Sequence, residues 1–266
     1  GTIDFMAAFA RKVPVAVIAG QLGLGADDTA MVRRWTDAFT DRLGGMITRE
    51  RELECAAEVV DFQHRMMANI TARRAARNDD LLGDIVAAAG EGELPLQDAE
   101  LLSIVQQLVV AGSEATASTL GEAMLQFARH PDQYARLRAD AALLPNAIEE
   151  ILRLARPSSG GWRIVKRDSE LGGIAIPAGA RLMLRFAAAN RDGARYAQPD
   201  MFDIRRSNAR THLAFGRGIH TCIGNMLARR EIEVVLQELN MRFSAIQLLC
   251  DEAELVYPPN ILLRGL

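Results

Sequence analysis

Three things are scarce in this chain. Cysteine occurs three times in 266 residues, at Cys55, Cys222 and Cys250. That is too few and too scattered for a disulfide framework, so the small disulfide-stapled classes are excluded and a reducing compartment is expected. Long apolar runs are missing as well. No stretch reaches the ~20 residues that cross a bilayer, and the opening GTIDFMAAFA has neither the basic start nor the apolar run of a signal peptide. A soluble, cytoplasmic protein without a membrane partner is expected. Lysine is nearly absent: Lys12 and Lys166 are the only two among 31 basic residues. Base composition of the source genome explains such an arginine bias better than a set of anion contacts. With a net charge of -3 there is no basic field, which argues against nucleic acid as a partner.

Apolar residues are plentiful, at 49% of the chain, enough for one large core or two intimate ones. Gly20 and Gly25 in AGQLGLGADD have no strand before them and two aspartates, Asp27 and Asp28, behind them. A pyrophosphate would be repelled there, so these glycines read as a helix stop and the next helix start. Helical alternation then runs from Asp28 to Arg77 and predicts two or three helices.

After a break at GEGELP, a proline-free run from Leu96 to His130 predicts a long central helix of roughly 50 Å. Its middle, LVVAGSEAT, is apolar all round and then abruptly small and polar, which places it inside the fold. Pro131 and Pro145 open two further helices, and Pro157 ends the second. WRIVKRD and GIAIPAGARLML alternate as strands do, with a turn at Pro177 to Gly179. A long irregular stretch, ANRDGARYAQPDMFDIRRSNARTHLA, leads to the loop FGRGIHTCIG, and Ile223, Leu227, Ile232, Val235, Leu236 and Leu239 mark one face of a following helix. The tail, with Pro258 and Pro259, reads as short strands and loops. The fold class is therefore mainly α with small β-sheets.

The loop Phe215 to Gly224 sets one cysteine among glycines just ahead of a helix. Gly216, Gly218 and Gly224 lack a Cβ, so the backbone can take positive φ and a flat, bulky group can come close to Cys222. The helix start behind it favours thiolate. Zinc is a poor fit, because it wants three or four protein ligands and there is no second cysteine nearby. A single thiolate suits an iron whose other ligands come from a porphyrin, with Arg217 and His220 placed to meet propionates. Taken singly, a cysteine is more often a small buried hydrophobe, and His220 more often an ordinary loop residue.

Taken together, the spacing F-G-x-G-x-H-x-C-x-G resembles the haem-binding loop of cytochrome P450, and the other landmarks of that family follow in order. The resemblance implies a truncated cytochrome P450 fold forming one domain over 1–266. It would comprise helices at 1–157, strands and meander at 158–212, the haem-binding loop at 213–224, and the proximal helix with C-terminal strands at 225–266. It implies haem b (iron protoporphyrin IX), with Cys222 as the metal ligand and Leu108, Ala111, Gly112, Arg163, Ala214, Phe215, Gly216, Arg217, His220 and Gly224 around the cofactor.

Glu150 and Arg153 resemble the family's E-x-x-R pair, with Arg206 as its third member, although many relatives carry an arginine where Met201 stands. AGSEAT, residues 111 to 116, resembles the oxygen-activating segment. Glu114 matches its acid, Ala115 stands where threonine is usual, and Thr116 lies one step, about 100°, further round the helix. Proton delivery would then use ordered water, a substrate hydroxyl, or Thr116 after a local distortion. PSSGGW corresponds to a segment bordering the substrate pocket. The implied activity is monooxygenation of a small apolar organic substrate, with electrons from a ferredoxin-type partner docking near Arg217, Arg229 and Arg230. The N-terminal strands and early helices of the family have no counterpart here. The competing expectation is therefore a shortened, inactive P450-like binding module that associates with itself through exposed apolar surface.

Overall fold

A computed structural model describes residues 1–91, 95–257, 260, 263 and 265. Pro258 and Pro259, and part of the expected break at GEGELP, lie outside the described residues. The chain divides into two compact units, and the boundary falls after Gly121, inside a continuous helix where the sequence offers no break.

The first unit is built from α1 (Lys12–Gln21), α2 (Thr29–Gly44), α3 (Arg49–Ala75), α4 (Leu81–Ala89) and the larger part of α5 (Asp98–Arg129). Thr48 caps α3 by accepting from the Arg51 N–H at 3.2 Å, and Asp80 caps α4 through the Gly83 N–H at 2.7 Å. The core gathers Trp35 and Phe39 of α2, Phe62, Met66 and Ile70 of α3, and the stripe Leu101, Val105, Val109 of α5, whose spacing of four puts one residue per turn on the same face. Trp35 and Phe39 both meet Phe62 edge-on, with centroids 5.3 and 5.1 Å apart, and Trp35 Nε1 donates to Asp61. Buried Arg73 donates to the Leu22 carbonyl at the end of α1 and to Asp80 at the start of α4, tying three helices together. Gly20, expected to stop the first helix, lies inside α1; Gly23, with φ +67°, makes the turn after it, and Gly25 precedes the next helical turn as expected.

The second unit holds the end of α5, α6 (Pro131–Ala139), α7 (Leu144–Ala155), β1 (Gly161–Ile164), β2 (Ser169–Leu171), β3 (Ile174–Ile176), β4 (Arg181–Leu184), α8 (Phe186–Ala189) and α9 (Asn225–Arg242). Prolines stand in the first turn of α6 and of α7, where the missing N–H breaks no helical bond. α7 is buried throughout from Ala147 to Ala155, and it ends at Arg156, which is left-handed (φ 57°), just before Pro157. β1 pairs antiparallel with β4, and β2 with β3, in two separate two-stranded sheets. The β2 strand, SEL, carries no alternating apolar signal and was not expected; a glycine pair with positive φ, Gly172 and Gly173, folds it back on β3.

α9 packs against α7 and α6. It begins at Asn225, so Ile223 precedes it and is 92% exposed; Leu227 is also exposed, and the buried stripe narrows to Ile232, Val235 and Leu236. The carbonyls at its far end accept from the Tyr134 hydroxyl and from Arg138 of α6. Among the described residues, no helix is long and apolar enough to cross a membrane.

Candidate haem-binding loop and its supports

The E-x-x-R residues form the most deeply buried charge cluster of the second unit. Glu150 and Arg153 have no exposed surface. Arg153 donates through Nε and Nη2 to the two Glu150 oxygens at 2.7 and 2.8 Å. Its remaining donors reach the carbonyls of Asn190, Pro199 and Met201. From the meander, Arg206 donates to Glu150 Oε1 at 2.9 Å and to the carbonyls of Ala197, Gln198 and Met201. One carboxylate thus faces two guanidiniums, and their other donors are taken by backbone oxygens, which is what a buried charge needs. Met201 takes part through its backbone while its side chain is exposed.

Seven residues past Phe215, the loop closes on itself: the Cys222 N–H donates to the Phe215 carbonyl at 2.9 Å. Gly216 and Gly218 have φ of +67° and +79°, the left-handed region where a Cβ is strained. Gly224 departs from the expectation. Its φ is -81° and it precedes the first turn of α9, so no left-handed backbone calls for glycine, and a Cβ there would make ordinary contact with the Cys222 sulfur at 4.0 Å. Cys222 itself is exposed, as are Arg217, His220 and Ile219. Ala214 and Phe215 are half-buried.

Arg229 is engaged within the fold rather than free on a partner-binding face. It donates through Nε and Nη2 to Glu149 at 2.8 and 3.1 Å, and through Nη1 to Asn225. Its guanidinium also lies 4.5 Å from the centre of the Phe215 ring. Arg230 is exposed and pairs with Glu233 one turn on. Half-buried Arg163, on β1, donates to the Trp162 carbonyl.

In the first unit, α5 is unbroken through AGSEAT, so no local distortion turns Thr116 toward the position of Ala115. Thr116 is buried, and Leu108, Gly112 and Thr116, four apart, share a face. On that face Leu108 packs against the unit's core, and a Cβ on Gly112 would meet the Ile18 side chain at 3.1 Å. Close approach of α1 is therefore a packing reason for Gly112, different from the expected passage over a cofactor. Ala111 is exposed, and the Ala115 carbonyl accepts from the Thr119 hydroxyl. Burial pushes the Glu114 carboxyl above its usual range.

Sequence reasoning passed over three groups. Glu149, adjacent to Glu150, and His212, ahead of the loop, form a buried contact at 3.0 Å. Burial pushes the Glu149 carboxyl up, but donors from His212 and Arg229 outweigh it and hold the group at about 2. Glu231 of α9 is 7% exposed, its Oε2 has no hydrogen-bond partner, and burial pushes it up to about 7. The doublet Glu149-Glu150 and the histidine ten residues before the cysteine were the available signals.

Fold and site together define a mostly helical protein whose one glycine-framed, exposed cysteine is held at the mouth of a helix by buried ion pairs. The chain belongs to the cytochrome P450 family, whose model matches residues 37–248. It is 36% identical to the steroid C26-monooxygenase of Mycobacterium tuberculosis, over all of this chain and 71% of that protein. It is likewise 36% identical to the 6-deoxyerythronolide B hydroxylase of Saccharopolyspora erythraea, over all of this chain and 64% of that protein. Among solved structures, CalO2 superposes with a TM-score of 0.92 at 30% identity, covering 99% of this chain and 65% of the other. Cytochrome P450 CREJ in complex with (4-ethylphenyl) dihydrogen phosphate gives 0.91 at 30% identity, with the same coverage. The chain thus spans about two thirds of the length of the relatives it matches.

Proposed function

We propose that this chain works as part of a haem-thiolate monooxygenase of the cytoplasm. It would insert one oxygen atom of dioxygen into a small apolar organic substrate with electrons from a ferredoxin-type partner. The observation that carries this reading is the exposed sulfur of Cys222, in a loop that left-handed Gly216 and Gly218 shape. A planar macrocycle fits such a cradle. Among the described residues no group of three His, Cys, Asp or Glu side chains offers a rival metal site. The relatives' names include a steroid and 6-deoxyerythronolide B, which favours a small organic substrate.

Bound there, haem b supplies oxygen activation, with the thiolate favouring cleavage of the O–O bond. The residues divide the remaining work. Cys222 would hold the iron, and the loop backbone at Ala214, Phe215 and Gly216 would line the cofactor. Arg163, Arg217 and His220 would meet the propionates. Glu114, whose carboxyl burial raises above its usual range, stands in the place of the family's acid, and Ala115 offers no hydroxyl to pass a proton on, so water or a substrate hydroxyl would complete that step. Arg217 and Arg230, rather than Arg229, are the cations available to a redox partner.

The test is reconstitution of the 266-residue chain with haem, then reduction under carbon monoxide. A red-shifted Soret band that Cys222→Ala abolishes is expected. Folded, soluble protein that takes up no haem would overturn the reading. It would favour instead an inactive P450-like binding module, for which the missing hydroxyl at Ala115 and the exposed apolar side chains of the strands speak.

A further inference from the structure

Glu149 of α7 is buried, and three side chains converge on it. His212 approaches Oε2 through Nε2 at 3.0 Å, Arg229 of α9 forks onto both oxygens, and exposed Arg210 stands 3.7 Å off at the rim. The hydrogen on His212 is fixed by its other nitrogen. Nδ1 accepts from the Ala214 N–H at 3.1 Å, so it carries no proton, and Nε2 must be the donor to Glu149.

Two of these side chains, His212 and Arg229, lead on to Phe215. The Ala214 amide that caps His212 belongs to the residue before it. The Arg229 guanidinium lies over its ring. Its carbonyl receives the Cys222 N–H. Just upstream, the Leu213 N–H donates to Asn190 and the Gly216 N–H to the Leu213 carbonyl. The E-x-x-R cluster faces the meander: its two arginines donate to Glu150 and to carbonyls between residues 190 and 201. Two neighbouring carboxylates on one helix therefore have separate tasks, Glu150 toward the meander and Glu149 toward the cysteine loop.

We propose that Glu149 and His212 are positioning residues for Cys222: the Nε2–H tautomer of His212, held by Glu149, fixes the Ala214–Phe215 turn, whose carbonyl in turn sets the backbone of the cysteine. For its spectroscopic arm the proposal rests on the haem-thiolate reading; its backbone arm does not.

The backbone arm is amide hydrogen exchange on the 266-residue chain, with nitrogen-15 NMR of its histidines. NMR should find His212 protonated on Nε2 and bare on Nδ1; the opposite tautomer overturns the proposal. His212→Ala should speed exchange at the Ala214 and Cys222 amides by about tenfold or more, the loss of a bond to a charged group, while amides inside α6 change little. His212→Asn should restore much of the protection at Ala214, because its oxygen can accept from the N–H two residues on as asparagine does in turns. A uniform rise through the second unit, or an unchanged Cys222 amide, would mean an ordinary structural ion pair.

Should His212→Ala not fold, Glu149→Gln keeps the shape without the charge and should speed the same two amides to a lesser degree. In the spectroscopic arm, the reduced carbonyl complex of His212→Ala should lose part of its red-shifted Soret band relative to His212→Asn. A failure of the parent chain to bind haem leaves the exchange result standing, so the two ideas fail separately.

Discussion

The residue whose behaviour depends most on its surroundings is Glu231. An acid raised from 4.5 to about 7 binds its proton more tightly in the folded chain than in the unfolded one. Its burial is therefore tolerated fully below pH ~4.5 and becomes a penalty as pH rises through about 7, reaching about 3 kcal/mol. Glu231→Gln should thus raise the melting temperature at pH 8 and change it little at pH 4, as scanning calorimetry at the two pH values would read. A larger gain at pH 4 would show that the carboxylate is satisfied in the fold. None of this was legible in the sequence, where Glu231 in ARREIEVV looks like a solvated helix charge. Cys222 was legible, because glycines around a lone cysteine are rare for any packing reason. The pairing of Glu149 with His212 was not, because 63 residues separate them and no periodicity links them.

Among elements, α7 is the hub. Its consecutive carboxylates Glu150 and Glu149, about 100° apart around the axis, bind the meander and the approach to the cysteine loop. Arg206→Ala would leave Glu150 with one guanidinium and strip a donor from the carbonyls of Ala197 and Gln198. A loss of about 3–5 kcal/mol in urea unfolding is expected, the range for breaking a buried charge network; a loss under about 1 kcal/mol would mean that water replaces it. The helices were legible from prolines and spacing, since Pro131 and Pro145 announce their starts. β2 was not, because its side chains are all exposed and a two-sided polar strand leaves no alternating pattern. The length of α9's buried face was overestimated at its start for a related reason. Apolar Ile223 and Leu227 continue the helical spacing although both are exposed.

At the scale of the molecule, a net charge of -3 gives weak mutual repulsion between copies. Against it stand exposed apolar side chains on the short strands of the second unit: Trp162 and Ile164 on β1, Leu171 on β2 and Ile174 on β3. Open strand edges with such side chains invite association. Sedimentation velocity should show reversible self-association of the chain at micromolar concentration. The double substitution Trp162→Glu, Ile164→Lys should shift it to monomer, and an unchanged distribution would place the contact elsewhere. Family and fold class were legible from the motifs. The division into two compact units was not, because it falls inside α5, where helical spacing runs on without interruption.

Gly218 sits at φ +79° with no atom near the place a Cβ would occupy. A Cβ there would fit the space and still be penalised, since the objection is to handedness and not to volume. A mirror-image residue such as D-alanine meets no such objection. The bend before the thiol is thus a demand for achirality, and glycine is the only genetically encoded residue that meets it.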